Sequence, residues 1–203
     1  MIVIGSDCDA TRRIATGLGA TLVAVPDDGD DRAWEEWRRD LGARRLETEI
    51  VVALFPEVRS PCAVMALPTG EWGARGEDPL LHWMMALGAA ALCCADGGAI
   101  VAVVDSPPPL DSAGLAAESG IAEAVETLAR SLALSEGKRG VRVNTVTTPC
   151  RVLNGPPIAP DPPLAGFPGT LDGDVLGAVR LLLSDDAAWL SGRCLPADRG
   201  RSW

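Results

Sequence analysis

The most informative absence from this 203-residue sequence is tyrosine, which does not occur at all. No side chain can therefore act as a phenolic acid or base. Histidine occurs once, as His82, between Leu81 and Trp83 in an apolar stretch, where we expect a packed core residue rather than a base. The six cysteines form no CxxC pair, and with one histidine they do not indicate a structural zinc site. We expect reduced, mostly buried thiols.

The chain also lacks an excess of basic residues and a membrane-length apolar run. Its formal net charge of −10 repels nucleic acid and anionic membrane surfaces, so neither is an expected partner. The longest apolar run, residues 79–95, is shorter than a membrane span and predicts a buried helix. The first ten residues, MIVIGSDCDA, have no basic leader of the kind that begins a signal peptide. We therefore expect a cytoplasmic protein.

Short strand-like runs alternate with helical patterns along the chain. The runs are MIVIG, TLVAV, IVVALF, AIVAVV, VRVNTV and RCLPAD, and amphipathic or apolar helical stretches lie between them. Strands joined by crossover helices predict a parallel sheet covered on both faces, which is a three-layer Rossmann-like α/β fold with about six strands. The length is that of a single domain, residues 1–203, with a full core.

A proline-rich segment interrupts this alternation between VRVNTV and the last helix. Seven prolines fall within residues 149–168, and the predicted loop extends over 149–172. Proline at that density disfavours helix and favours a stiff, extended loop. Two interpretations stay open: a lid or contact arm over the carboxyl edge of the sheet, where α/β proteins bind ligands, or an irregular connection without a further role.

Several segments of the second half resemble the short-chain dehydrogenase/reductase family. GGAIVAVVDS is similar to the family's fifth strand, and AVETLARSLAL with GVRVNTV is similar to the helix and strand after its active site. GDVLGAVRLLLSDDAAWLSGRCLPADRG resembles the C-terminal helix and strand, so the resemblance covers residues 97–200. It implies a Rossmann-type fold, a nicotinamide cofactor at the first strand–helix turn, and a Ser–Tyr–Lys catalytic set.

The resemblance places the family's catalytic positions on residues of different chemistry. Aligned on TLARSLA, the tyrosine position falls on Glu118 and the lysine position on Ala122. Aligned on AIVAVV, the serine position falls on Asp105, and the separation from Asp105 to Glu118 matches the family's usual spacing. Ser106 takes the serine position after a one-residue slip, but no tyrosine is present anywhere in the chain. We therefore assign no residue to the family's catalytic mechanism.

The first turn, GSDCDATRRIA, departs from the family's cofactor motif as well. The three phosphate-binding glycines of the family fall on Gly5, Asp9 and Thr11. Glycine there lets the backbone approach the pyrophosphate, whereas Asp7 and Asp9 bring carboxylates near it. The pattern also lacks the strand that walls the adenine pocket, and we predict no bound cofactor and no metal. Asp27 and Asp28, at the end of the second predicted strand, match the position of the family's ribose-binding acid. The match is either functional or a coincidence.

Three functions remain open. The first is a non-catalytic subunit of a homodimer, or of a hetero-oligomer with an active family member, because helices 79–95 and 113–136 resemble the pair at the family's main dimer interface. The second is a repurposed enzyme in which Asp105 and Glu118 run non-redox acid–base chemistry such as dehydration, isomerisation or cyclisation. The third is an oxidoreductase with altered NAD(P) binding. The candidate interface residues are Ile121, Val125, Leu128, Leu132, Trp83 and Trp189.

Overall fold

The computed structural model describes residues 1–26, 31–44, 46–153 and 160–202. These residues form one six-stranded sheet in the order β2-β1-β3-β4-β5-β6, with every neighbouring pair parallel. The predicted parallel sheet of a Rossmann-like fold is therefore confirmed. The strands are β1 (Ile2–Gly5), β2 (Thr21–Ala24), β3 (Glu47–Ala53), β4 (Cys94–Asp105), β5 (Arg142–Thr148) and β6 (Cys194–Pro196).

Helices connect the strands and lie on both faces of the sheet. One π-helical turn, Gly73–Glu77, leads into the apolar helix α4, and another, Leu171–Val175, leads into α6. Among the helices that the structure describes, none is both long enough and apolar enough to cross a bilayer. The helices are α1 (Asp9–Leu18), α2 (Asp31–Gly42), α3 (Thr69–Trp72), α4 (Asp78–Cys93), α5 (Ala116–Glu136) and α6 (Leu176–Leu183).

The hydrophobic core has two halves because successive strand residues point to opposite faces of the sheet. Ile2 and Ile4 of β1 belong to the half covered by α2, α4 and α5, whereas Val3 belongs to the half covered by α1 and α6. Strands β1, β3 and β4 contain continuous apolar runs, as expected where a strand is buried on both faces. The result is the expected three-layer arrangement.

Strand β2 forms one edge of the sheet and pairs with β1. In a doubly wound dinucleotide-binding sheet a further strand lies outside this position. No such strand is present among residues 1–26, 31–44 and 46–53, in agreement with the predicted loss of the pocket wall. The two acidic residues at the end of the second strand, Asp27 and Asp28, lie outside the described residues.

The described part of the proline-rich loop is fastened to the C-terminal segment. The guanidinium of Arg201 donates to the carbonyl of Pro160 and lies 5.2 Å from the centre of the Phe167 ring. The backbone N–H of Leu164 donates to the carbonyl of Arg199 at 3.2 Å. Arg201 in turn forms a bidentate ion pair with Asp111, at 2.7 and 3.0 Å. The loop is therefore tied to the C-terminal segment by specific contacts.

Candidate functional site

A small pocket lies at the carboxyl ends of β3 and β4, beside the first turn of α5. Asp105 is the last residue of β4 and Glu118 lies in the first turn of α5, and both line this pocket. Its apolar walls include Leu54, Trp83 and Ile121, and its cavity volume is about 40 Å³. The structure thus brings together the residues at the family's serine and tyrosine positions.

Each carboxylate is paired with an arginine from a distant part of the chain. Nη1 of Arg151 donates to Oδ2 of Asp105 at 2.5 Å, and Nη2 of Arg75 donates to Oε1 of Glu118 at 2.6 Å. The side chains of Arg75 and Asp105 are only 4% and 8% exposed, and those of Glu118 and Arg151 are 16% and 17% exposed. Both pairs are largely shielded from water, so losing one partner leaves a charge without solvent to compensate it.

The same two arginines hold the segment that follows β3. Nη2 of Arg151 donates to the carbonyl of Pro56 at 3.1 Å, and its guanidinium lies over the Phe55 ring, 4.5 Å from the centroid. Nη1 of Arg75 donates to the carbonyl of Ser60 at 3.2 Å. Arg151 follows β5 in sequence, so its side chain spans the crevice from β5 past β4 to the segment after β3. This crevice at the carboxyl edge is where sheets of this type bind ligands.

One oxygen of each carboxylate has no partner within the described part of the chain. Oδ1 of Asp105 and Oε2 of Glu118 are buried without a hydrogen bond, as is Nε of Arg75. Burial raises the pKa of Asp105 to about 7, an effect that Arg151 offsets only in part and the nearby charge of Glu118 increases. Asp105 therefore holds its proton to near-neutral pH, which an exposed aspartate does not.

Ala122, which the resemblance aligns with the family's lysine, contributes no functional group. Ala122 lies on the buried face of α5 and is 2% exposed, so a methyl group packs where the family has its lysine. The described residues also contain no group of three or more histidine, cysteine, aspartate or glutamate side chains that could hold a metal ion. The ion-paired groups of the site are thus two carboxylates and two arginines.

The first strand–helix turn is packed against the protein itself. A Cβ added at Gly5 would lie 2.3 Å from the carbonyl oxygen of Ala53 and 2.7 Å from Cγ2 of Thr11. Thr11 is fully buried, and its hydroxyl lies 3.5 Å from that same carbonyl oxygen. Glycine at position 5 therefore permits the close approach of β1 to β3 and to α1.

The residues of this turn do not fit the pyrophosphate of a dinucleotide. Asp9 lies in the first turn of α1, where its negative charge faces the positive end of the helix dipole that a phosphate would need. Asp7 is exposed just before the helix, and a nitrogen of Arg12 lies 2.8 Å from its carboxylate. The arginine is therefore already engaged by a carboxylate at the place where it would neutralise a phosphate.

The predicted interface residues fall into three groups. Trp83 and Val125 are 1% and 0% exposed, so they belong to the core of the chain and are wrong as interface residues. Ile121 is 8% exposed and lines the pocket. Two half-buried leucines pack against the core from α5, and Trp189, between α6 and β6, is 98% exposed. The half-buried pair is Leu128 and Leu132.

Solved structures with the same architecture are named as dehydrogenases or reductases. A short-chain dehydrogenase/reductase from Serratia marcescens superposes with a TM-score of 0.75 over 100% of this chain and 96% of its own, at 18% identity. Acetoin dehydrogenase from Enterobacter cloacae gives a TM-score of 0.70 over 98% and 95% of the two chains, also at 18% identity. This chain has the short-chain dehydrogenase/reductase fold.

A sequence relative points the same way. A 4-formylbenzenesulfonate dehydrogenase from Comamonas testosteroni is 32% identical in an alignment of 125 residues that covers 52% of this chain. The matched segment spans 46% of that relative, less than half of its length. No protein-family model matches the chain. The short-chain dehydrogenase/reductase fold is therefore established, while the activity of any one relative is not transferred by it.

Two site residues were missed by reasoning from the sequence. Arg75 lies in the π-helical turn before α4, and Arg151 lies in the loop after β5, 43 and 46 residues from their carboxylate partners. No local spacing links residues so far apart. A usable signal was the position of Asp105 directly after the apolar run AIVAVV, because a carboxylate that is buried with such a strand requires a counter-charge.

Proposed function

We propose that this chain is a non-catalytic subunit with a short-chain dehydrogenase/reductase fold that assembles through the outer faces of α4 and α5. The observation that carries the proposal is the Glu118–Arg75 ion pair at the family's tyrosine position. An ionised carboxylate accepts hydrogen bonds and has no proton to give, whereas the reduction of a carbonyl requires a donor at this place. Since the chain contains no tyrosine, no other phenol can substitute.

The state of the cofactor turn supports the same proposal. Hydride transfer in this family requires a nicotinamide dinucleotide, and the turn around Gly5 and Thr11 is filled by the protein's own packing. The side chain of Arg151 also occupies part of the crevice between the ends of β3 and β5. Proteins with this fold are named as dehydrogenases, and these features argue against that reaction in this chain.

The outer face of α4 supports an assembly role. Leu81, Met84 and Leu92 follow one another along this face and are 48%, 51% and 53% exposed. Residues 79–93 contain no charged side chain, so α4 is apolar both towards the sheet and away from it. A helix that is apolar all round is normally buried on both sides. A second body that covers this face would remove the exposed apolar area from water.

The neighbouring helix provides a matching surface. Gly120 of α5 and Gly88 of α4 have nothing within 4 Å of the position a Cβ would take. Large side chains of one subunit can therefore enter the space beside small residues of another. A two-fold axis places the same patch on both subunits, and we take the occupant to be a second copy of this chain. An active relative in that place is the alternative outcome of the test.

The test combines cofactor titration with the mass in solution. We expect light scattering to give twice the chain mass of 21.1 kDa, and no saturable binding of NADH or NADPH by thermal shift. Met84→Glu should give a monomer, because it places a charge in the apolar face. Met65→Glu is the matched control, since Met65 is 101% exposed in a separate loop and its replacement should leave the dimer intact.

Two results would contradict the proposal. Saturable binding of either dinucleotide would reopen the redox hypothesis. A monomeric wild-type chain that also fails to co-purify with a co-expressed active relative would remove the assembly role. Acid–base chemistry by Asp105 and Glu118 stays a separate prediction, favoured by the raised pKa of Asp105.

A further inference from the structure

The pocket beside Asp105 and Glu118 has unmet hydrogen-bonding capacity. Asp105 is only 7% exposed, and each arginine partner engages just one of the two oxygens of its carboxylate. The remaining oxygens, Oδ1 of Asp105 and Oε2 of Glu118, accept no hydrogen bond within the described part of the chain. A buried acceptor without a donor is costly, so a ligand that brings donors would be stabilised here.

The charged side chains around Asp105 balance, with three arginines and three carboxylates when Asp105 itself is counted. The charged and titratable groups that interact with it or line the same pocket are Arg151 and the Cys150 thiol after β5, Glu118 on α5, Arg75 before α4, and Glu57 and Arg59 after β3. Desolvation is the largest influence on the pKa of Asp105, and the opposing effect of the Arg151 charge does not cancel it. The carboxyl therefore binds a proton near neutral pH, and a cationic group can take the place of that proton.

The shape of the space indicates a small polar head with an apolar body. The inner cavity of about 40 Å³ is bounded by both carboxylates and by apolar side chains such as Leu115 and Val152. A second cavity of about 430 Å³ shares Leu54 and Trp83 with it. The inner space suits a group of a few atoms. The adjoining space, which charged side chains such as Glu57 and Asp78 also line, can take a larger substituent against Leu54 and Trp83.

We propose that this pocket binds a small primary amine, whose ammonium group lies between Asp105 and Glu118 and whose apolar substituent lies against Leu54 and Trp83. An alkyl ammonium group carries three N–H donors and a full positive charge, which matches two unpartnered carboxylate oxygens better than a neutral hydroxyl does. This ligand-binding role goes beyond the proposed subunit role, because either could hold without the other.

The probe for this proposal is benzylamine, titrated by isothermal calorimetry, with benzyl alcohol as its neutral counterpart and benzyltrimethylammonium as a cation without N–H donors. We expect saturable binding of benzylamine alone. Since the amine displaces a proton from Asp105, its affinity should rise about tenfold between pH 6 and pH 8. Asp105→Asn and Glu118→Gln should each weaken binding by about tenfold or more, and Asp105→Asn should also abolish the pH dependence.

The matched control is Asp96→Asn, which removes a carboxylate that is 78% exposed and pairs with Arg139 far from the pocket. We expect unchanged binding in that variant. Equal affinities for benzylamine and benzyl alcohol, no saturable binding of benzylamine, or an affinity of the wild-type protein that is flat from pH 6 to pH 8 would each overturn the proposal. The absence of benzylamine binding and a flat pH dependence are both measured on the wild-type protein, so they test the proposal even where a variant does not fold.

Discussion

The Arg75–Glu118 pair gives a direct test of how a shielded carboxylate at the candidate site is stabilised. At an effective dielectric constant of about 20, two unit charges 2.6 Å apart attract each other by about 6 kcal/mol. The desolvation of both groups offsets much of this, so the intact pair contributes little net stability. Removal of one partner is different, because the other stays buried without compensation. We expect Arg75→Met to lower the free energy of unfolding by about 3–5 kcal/mol.

Urea unfolding at a fixed protein concentration measures the effect. With a slope of about 2–3 kcal/mol per molar urea, in the upper part of the range for small proteins, the midpoint should fall by about 1–2.5 M in Arg75→Met. Glu118→Leu combined with Arg75→Met replaces the pair by apolar side chains, and we expect stability close to that of the wild-type protein. The control is Arg32→Met, which breaks the exposed Arg32–Glu36 pair and should cost no more than about 0.5 kcal/mol.

Two outcomes would refute this reasoning. The first is an Arg75→Met variant as stable as Arg32→Met, which would mean that Glu118 gains water or another counter-charge once Arg75 is removed. The second is a double variant as unstable as Arg75→Met alone. In that case the lost stability would come from the packing of the Arg75 side chain, which is 4% exposed, and not from an uncompensated charge.

Three further predictions concern other parts of the fold. The pKa of Asp105 is raised from 3.8 to about 7 in the folded chain, so its stabilising contribution is complete below pH 3.8 and is lost as the pH rises through 7. Urea unfolding at pH 5 and pH 7.5 should therefore show a loss of about 2 kcal/mol in the wild-type protein that is absent from Asp105→Asn; a parallel loss in both would contradict the assignment. Gly5→Ala should lower the thermal midpoint, since its Cβ would meet a backbone oxygen at 2.3 Å, whereas Gly177→Ala, with nothing within 4 Å, should be neutral or slightly stabilising. Arg201→Leu removes the buried bidentate pair with Asp111 and should speed limited proteolysis between residues 160 and 170; an unchanged cleavage rate would show that this pair does not hold the loop.

The sequence by itself determined the architecture, because the architecture depends on periodic burial. The apolar runs in β1, β3 and β4 are buried on both faces, and a strand buried on both faces consists of continuous apolar residues rather than an alternating pattern. The spacing between Asp105 and Glu118 likewise located both residues at one site, since one ends β4 and the other begins α5. These features depend on neighbours in sequence or on the order of elements.

Only the tertiary structure decided what surrounds those two carboxylates. Arg75 and Arg151 reach these carboxylates from turns more than 40 residues away in sequence. The periodicities that indicate strands and helices in a sequence do not indicate contacts over such separations. Burial also reassigned Trp83 and Val125 from a partner surface to the core, because α4 and α5 are apolar on several sides and sequence alone does not say which side meets the sheet. Side-chain pairing at the edge of a sheet depends on how loops close in three dimensions, and that is the information a single sequence lacks.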